Sequence, residues 1–250
     1  MKLHLSLRIN LAALLMVVST SAFAQEEAVV FEEEIQETPL VEVHLPEDTY
    51  LPYKERRGTH GAYFGVNYEG VDLKNYISTL DNKTYFQVFG TDPVPLLHVS
   101  IDYKYNTQIG AFSIGVDYGS GELSGSQTGT SRTLKLTRYG VGVKFTADTI
   151  LDEPYVAPYV GINFWQMGIS ETSPTDSFSA TTQMGYNYTV GALLQLDWID
   201  YDSSKEGTFN WGLENTFIDV YATQYAKTSA AEDPNTATDL LYGAGLRLEF

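Results

Sequence analysis

Apolar residues alternate with small or polar residues through most of the chain after Gly58. Within residues 184–198, for example, Tyr188 and Leu194 share one face and Asn187 lies on the other. A β-strand directs successive side chains to opposite faces, so this period of two predicts strands that are apolar on one face only. Eight such strands are predicted, near residues 61–71, 97–105, 109–119, 133–146, 155–169, 184–198, 208–225 and 239–250.

Two of the predicted strands depart from strict alternation. Leu134 and Leu136 share a face with Arg138, which predicts either that this part of the strand lies beyond the apolar belt or that a bulge interrupts it. In the seventh strand the alternation is clear only at the start, where Phe209 and Trp211 occupy the apolar positions, and it becomes ambiguous afterwards.

The number of strands and the lengths of their connections favour closure of the sheet. An even number of antiparallel strands can close into a barrel with both chain ends on one side. The connections predicted after strands two, four and six are short, at residues 106–108, 147–154 and 199–207. Those after strands one, three, five and seven are longer, at residues 72–96, 120–132, 170–183 and 226–238. This asymmetry is typical of transmembrane barrels, and a secreted β-sandwich would not require it.

The final stretch, residues 239–250, alternates from Tyr242 onward and ends at Phe250. A last strand of this kind resembles the closing strand of bacterial outer-membrane β-barrels. The pattern over 58–250 is similar to the small OmpA, OmpX and OmpW group, with its opacity- and porin-like barrel domains. The resemblance implies an all-β fold, an eight-stranded antiparallel transmembrane β-barrel of a Gram-negative outer membrane with both termini in the periplasm. It also implies that the barrel insertion machinery reads an insertion signal composed of Tyr242, Ala244, Leu246, Leu248 and Phe250.

Residues 1–57 are predicted to precede the barrel. Lys2 and Arg8, an apolar run over 9–18 and an A-x-A pattern ending at Ala24 predict a signal peptide over residues 1–24. The apolar run is shorter than the roughly 20 residues that a membrane helix needs. Residues 25–57 are rich in Glu and contain spaced prolines, which predicts a disordered periplasmic segment. The alternative is that this segment binds a periplasmic partner or enters the barrel lumen.

Composition and charge exclude several classes of function. The formal charge of −17 disfavours nucleic acid as a partner, because phosphates repel an acidic protein. The chain has no Cys, which excludes disulfides and thiol chemistry. The sequence contains no phosphate-binding loop, dinucleotide fingerprint or metal-ligand spacing, so no cofactor and no metal are implied.

Charges of both signs occupy the face opposite to the apolar one, together with many glycines. In a barrel this face surrounds the lumen, and eight strands leave room for side chains rather than a wide channel. Because buried charges need partners, we predict a charge network that plugs the lumen. Its members are Glu69, Asp102, Lys104, Asp117, Arg138, Lys144, Asp197, Glu214, Arg247 and Glu249. The alternative is a narrow polar pathway or a gated pore.

These patterns favour a non-enzymatic barrel with a structural or surface-interaction role carried by its extracellular loops. Its expected partners are outer-membrane lipid, lipopolysaccharide and an unidentified periplasmic or extracellular protein. A second hypothesis is a narrow pore, or an OmpW-like conduit for small solutes or hydrophobic molecules. The aromatic residues of the loop over 72–96 indicate either a binding surface or a strand extension in which residues 84–89 pair as a ribbon. They are Tyr76, Tyr85, Phe86 and Phe89.

One spacing suggests an enzyme. His98 and Ser100 lie two residues apart and so share a strand face. Outer-membrane lipid A deacylases use His and Ser at this spacing, so a lipid A-modifying enzyme is a remote alternative. In that family, however, the pair lies late in the chain and faces outward, whereas this pair lies on strand two and is predicted to face the lumen.

Overall fold

A computed structural model describes residues 52–126, 129 and 131–250 of the protein, excluding the side chains of residues 201–203. The predicted signal peptide over 1–24 and all but the last residues of the predicted acidic segment over 25–57 lie outside this range. Among the described residues, no helix is long and apolar enough to cross a membrane.

The described part of the chain is a closed antiparallel barrel. Its strands are β1 (His60–Val71), β2 (Val94–Thr107), β3 (Gly110–Gly125), β4 (Arg132–Thr146), β5 (Val156–Thr172), β6 (Ser177–Thr181), β7 (Gly185–Gln195), β8 (Asn215–Tyr225) and β9 (Leu241–Glu249). Each strand of the wall pairs with its neighbours, and β1 pairs with β9 to close the ring. The short β6 pairs with residues 168–172 of β5, beyond the part of β5 that pairs with β7. The wall therefore has eight strands, which confirms the predicted fold class.

Alternation along the strands fixes which side chains face outward. In β1, Tyr63 is buried in the barrel and Phe64 is exposed on its exterior. In β2, Val99 and Ile101 are exposed, whereas Asp102 is buried. A slip of one residue would invert every side chain, so the half-apolar pattern specifies the register strongly. This agreement explains why the inward and outward faces could be predicted from the sequence.

The two ends of the barrel differ in their connections. At the turn end, residues 108–109, 147–155 and 196–214 join neighbouring strands. At the loop end, the connections are residues 72–93, 126–131, 173–184 and 226–240. The predicted asymmetry of lengths is therefore only partly correct. Connection 126–131 is short because β3 and β4 continue their ladder through residues predicted to form a loop, and connection 196–214 is long because it contains a helix.

The prediction for the seventh strand was wrong at its start. Residues that include Phe209 and Trp211 form α3 (Tyr201–Trp211), and both of these side chains are exposed. Gly212 ends the helix with φ of 66°, a left-handed conformation that favours glycine at a helix C-terminus. The hydroxyl of Thr208 also donates to the carbonyl of Leu213. The alternation of apolar residues here is thus coincidental, and β8 begins at Asn215.

Leu134 and Leu136 lie in an unbroken stretch of β4, so the predicted alternative of a bulge was wrong. Both face inward at the loop end, where they pack in an apolar cluster with Trp165, Met167 and Tyr225. The outward residues of the same stretch are polar, because this part of β4 extends past the apolar belt of the exterior. The other alternative, that these leucines lie beyond the belt, agrees with the structure.

The connection over 72–93 folds onto the loop-end cluster. Tyr76, Tyr85 and Phe89 are buried there, and only Phe86 among the four predicted aromatics is largely exposed, at 65%. Residues of this stretch form α2 (Tyr85–Phe89), which begins with a capping box between Thr84 and Gln87. The alternative that residues 84–89 pair as a ribbon was therefore wrong, and most of these aromatics are buried in the loop-end cluster.

Candidate functional site in the barrel lumen

A chain of polar contacts crosses the middle of the lumen. Arg138 Nη2 lies 2.6 Å from Asp117 Oδ1 in an ion pair, and its Nη1 donates to the hydroxyl of Tyr225. Tyr225 in turn donates to Glu69, whose Oε1 lies 3.1 Å from Nε2 of His98. All five side chains are largely buried and come from β1, β2, β3, β4 and β8. The contacts therefore tie most of the barrel circumference together at one level.

Two further ion pairs lie nearby. Lys144 Nζ contacts Asp102 Oδ2 at 2.9 Å, and Arg247 Nη2 contacts Asp219 Oδ2 at 2.7 Å. The hydroxyl of Tyr159 also donates to Asp219 at 2.8 Å. Asp219 is fully buried but was absent from the predicted network, because it lies in the part of the seventh strand where the pattern was ambiguous. Its neighbours Ile218 and Val220, which face outward, were the signal that could have identified it.

A third group of charges surrounds Lys104 at the turn end. The side chain of Lys104 has 0% exposure. Its Nζ donates to Glu249, lies 2.9 Å from Asp148 Oδ2 and lies 2.6 Å from the hydroxyl of Tyr53. The rings of Tyr53 and Tyr63 lie 5.3 and 4.9 Å from Nζ, within the range of cation–π attraction. Tyr53 and Asp148 were not predicted as members of the network.

Tyr53 reaches this group from α1 (Tyr53–Arg56), which closes the turn end. Arg57 Nη1 pairs with Asp148 at 2.7 Å, and Arg56 pairs with Glu153 at 3.2 Å and with Glu214 at 3.3 Å. The predicted disordered segment over 25–57 lies largely outside the described residues, and at its end Tyr53–Arg56 are helical. The side chain of Tyr53 is buried, and its hydroxyl contacts Lys104.

Two of the predicted network members lie outside the lumen. Asp197 is in the turn that follows β7, where it accepts a hydrogen bond from the backbone N–H of Thr216 at 3.1 Å. Glu214 precedes β8 and pairs with Arg56 at the turn end. Burial raises the pKa of both carboxyls. Both were assigned to the lumen because the sixth and seventh strands were extended too far, and their true position is beyond the ends of the strands.

The other eight predicted members face the lumen and form the contacts described above. The alternation in the sequence predicts their face but not their partners. It also missed the role of tyrosine: Arg138 lies 5.3 Å from the ring centre of Tyr225, and Arg247 lies 5.2 Å from that of Tyr159. Aromatic faces thus complement the carboxylates around these cations.

A cavity of about 50 Å³ remains in the middle of the lumen. A water molecule needs roughly 10–15 Å³ of such volume, so the cavity has room for a few waters. Asn67 Oδ1, Ser100 Oγ and Arg247 Nη1 have no hydrogen-bond partner among the described residues, and their side chains line it. The site is thus a small polar chamber between the charged groups of the lumen.

The geometry of His98 and Ser100 does not match that of a catalytic pair. Both side chains are buried in the lumen, where lipid A has no access. His98 contacts Glu69 instead, and the hydroxyl of Ser100 makes no hydrogen bond to any described residue. A serine nucleophile needs a base within hydrogen-bond reach. Among residues 52–126, 129 and 131–250, no group of three or more His, Asp and Glu side chains could hold a metal ion.

A separate ion network holds the loop end. Arg132 contacts Glu171 Oε1 and Asp81 Oδ2, each at 2.7 Å, and Glu171 accepts hydrogen bonds from Tyr76 and Ser78 at 2.9 Å. Partial burial alone would raise the pKa of Asp81, but hydrogen bonds from Lys83 and Arg132 outweigh it and lower the pKa to about 2. The network fastens connection 72–93 to β4 and β5.

The five residues of the predicted insertion signal share the outward face of the last strand and the residue after it. Tyr242, Ala244, Leu246 and Phe250 are exposed, and Leu248 is half-buried. The strand lies between β1 and β8.

Comparisons with known proteins gave matches among solved structures only. No protein-family model and no curated protein matches the chain. The chain is similar to Ail, the attachment invasion locus protein of Yersinia pestis, with 12% identity and a TM-score of 0.42 over 76% of this chain and 97% of that one. It is also similar to Neisserial surface protein A, with 14% identity and a TM-score of 0.42 over 77% and 98%. The N-terminal β-barrel domain of Pseudomonas aeruginosa OprF matches with 11% identity and a TM-score of 0.40 over 77% and 98%.

Proposed function

We propose that the protein is an integral barrel of a Gram-negative outer membrane that acts through its loop end and does not conduct solutes. The apolar exterior supports the location. Ile101, Val116 and Val141 lie side by side on adjacent strands, and all three are exposed. Soluble monomers rarely expose continuous apolar surface of this kind. In hydrocarbon, a closed sheet satisfies the backbone hydrogen bonds of every strand, which allows the barrel to span the membrane.

The small size of the central cavity is the observation that supports the rest of the proposal. The central cavity occupies only about 50 Å³, and each lumen cation has a carboxylate partner. The cluster that includes Leu136 and Trp165 closes the loop end, while Tyr53 closes the turn end. A conduit would have to separate buried ion pairs, at a cost of about 3–5 kcal/mol for each broken pair.

The ordered loop end supports a structural or surface-interaction role. Connection 72–93 packs on the barrel through Tyr85 and Phe89, yet it leaves Phe86 and Ile77 exposed on its outer side. A rigid loop that displays apolar side chains loses little entropy on binding. Lipopolysaccharide and proteins at the cell surface are the partners that this end would meet.

Planar-bilayer recording tests the closed lumen. We expect wild-type protein to give no defined conductance steps. Arg138→Ala, which removes a cation from the middle of the lumen, should give brief openings, while Lys135→Ala on the exposed exterior of the same strand should stay silent. Defined steps from wild-type protein would refute the closed barrel and favour the conduit.

Cleavage of connection 72–93 by protease added to intact cells would test its surface location, and complete protection in intact cells would argue against it.

A further inference from the structure

The exterior of the barrel carries an elongated depression over β3, β4 and β5, which we call the exterior trough. Its floor consists of Ile114, Val143 and Ile162, which are aligned in register on the three strands. Its volume is about 550 Å³, and its lining is almost entirely apolar. The trough is thus far larger than the chamber inside the lumen, and it opens toward the surroundings of the barrel.

Aromatic side chains form the walls of the trough. Tyr103 lies beside Ile114 on one side, and Tyr188 lies beside Ile162 on the other. Toward the turn end, the rings of Phe112 and Phe145 pack together with their centres 4.9 Å apart. The shorter side chains of the floor therefore lie between bulky ones, which explains why the surface is concave here.

A polar cleft lies beside the turn-end limit of the trough. It has a volume of about 380 Å³, and its lining includes Lys54, Arg57, Asn106, Gln108 and Thr149. The cleft and the trough are adjacent in the chain, because Tyr105 lines the trough and the next residue lines the cleft. Phe112 lines the trough and Gln108 lines the cleft. The chain between these two residues spans at most roughly 13 Å, at about 3.3 Å per residue.

The two cations of the cleft differ in availability. Arg57 is held by Asp148 at 2.7 Å, and both side chains are nearly buried. Lys54 pairs with Asp152 on the surface, where the two side chains are 43% and 73% exposed. An exposed pair of this kind contributes little and exchanges readily with other ions. Lys54 can therefore turn toward an anion in the cleft without loss of a buried contact.

We propose that the exterior trough and the polar cleft together bind one anionic phospholipid from the membrane leaflet at the turn end. The inference rests on the proposed function, since it requires the exterior to lie in a bilayer. An acyl chain fills the trough, and the phosphate lies in the cleft near Lys54. Lipid chains are as apolar as the trough itself, so binding gains from close packing and charge rather than from the hydrophobic effect.

Native mass spectrometry of the folded barrel with added phospholipid tests this site. Phosphatidylglycerol is the probe, and phosphatidylcholine with identical chains is the zwitterionic control. We expect one retained phosphatidylglycerol per wild-type barrel and at least tenfold less retention by Val143→Phe, which fills the trough floor. Val220→Phe is the matched control, because Val220 is an exposed valine of β8, away from the trough. Lys54→Gln should remove the preference for phosphatidylglycerol over phosphatidylcholine. Equal retention by Val143→Phe and Val220→Phe, or no effect of Lys54→Gln on lipid preference, would overturn the proposal.

A second measurement separates failure of this site from failure of the proposed function. Each variant is refolded into phospholipid vesicles, and the change of gel mobility on heating reports the folded barrel. A wild-type chain that does not insert into vesicles would contradict the proposed function itself. A chain that inserts and shows heat-dependent mobility, but retains no more phosphatidylglycerol than the Val143→Phe variant, would contradict the phospholipid site alone.

Discussion

Replacement of Lys104 by Met is the sharpest test of how the lumen charges stabilise the barrel. Methionine retains most of the length of the side chain, so the change removes the charge without leaving a large cavity. The cation of Lys104 is wholly buried between Glu249 and Asp148. Its loss leaves a carboxylate in a site that water reaches poorly, which is costly unless the carboxylate finds another cation.

The structure sets the expected magnitude. Asp148 keeps its pair with Arg57 at 2.7 Å, so Glu249 is the carboxylate that loses its cation. Glu249 retains hydrogen bonds from Tyr53 and from Asn215 Nδ2 at 2.8 Å. Removal of one partner from a buried pair costs about 3–5 kcal/mol, and the two remaining donors favour the lower end of this range. We therefore expect a loss of about 3 kcal/mol, a factor of roughly 150 in the folding equilibrium.

Urea titration of the barrel in phospholipid vesicles measures this loss, with heat-dependent gel mobility as a second report of folding. Lys54→Met is the matched control, since it removes the same group at the same end of the barrel from an exposed ion pair. Its unfolding midpoint should equal that of the wild type. Adding Glu249→Gln to Lys104→Met should restore more than half of the loss, because the uncompensated charge is then gone. If Lys104→Met unfolded at the same urea concentration as Lys54→Met, the assignment of Lys104 as a buried structural cation would be refuted.

Two further predictions concern the space around the charges and the loop end. A Cβ added at Gly140 would overlap the carboxylate of Asp117, so Gly140→Ala should destabilise the barrel by about 1–3 kcal/mol in urea titration, whereas Gly168→Ala, where a Cβ meets only ordinary contacts, should not. The lowered pKa of Asp81 means that its carboxylate stabilises the loop end fully above about pH 4 and loses this effect as the pH falls toward 2. As the pH falls from about 4 to about 2, cleavage of connection 72–93 of the wild type by pepsin should therefore rise steeply. An Asp81→Asn variant that showed the same steep rise would contradict the reasoning.

The faces of the strands could be predicted because the information is local. Each inward or outward assignment depends only on the parity of a residue within its own strand, and eight of the ten charges predicted in this way lie on the inward face of the strands. The errors arose where the pattern extended past the end of a strand. Asp197 and Glu214 continue the alternation of the sixth and seventh predicted strands in the sequence. In the structure, Asp197 lies in the turn after β7 and Glu214 lies between α3 and β8, so both are beyond the barrel wall.

The partners of the charges could not be predicted in the same way, because they depend on the register between strands. Lys104 and Glu249 are far apart in the sequence and meet only when β1 lies between β2 and β9. Asp219 and Arg247 likewise form an ion pair because of the register between β8 and β9, in which Asp219 lies opposite Gly245. Parity gives the face of a side chain, whereas its height along the barrel axis requires the stagger of the closed sheet.

The glycines of the inward face supply part of the missing information about register. In the closed barrel, large inward side chains lie directly opposite glycines of a neighbouring strand, where an added Cβ would overlap them. The pairs include Asp102 with Gly115, Asp117 with Gly140, Asn163 with Gly142, Asn67 with Gly245 and Tyr221 with Gly243. The physical reason is that an eight-stranded barrel has a narrow interior, so a glycine opposite a large side chain leaves room for it at these positions. Sliding β2 along β3 by two residues would keep every residue on its own face, but it would move Gly115 away from Asp102 and bring a larger inward side chain against the carboxylate. Parity thus selects the face, and the match of large residues with glycines favours the observed register over such a shifted one.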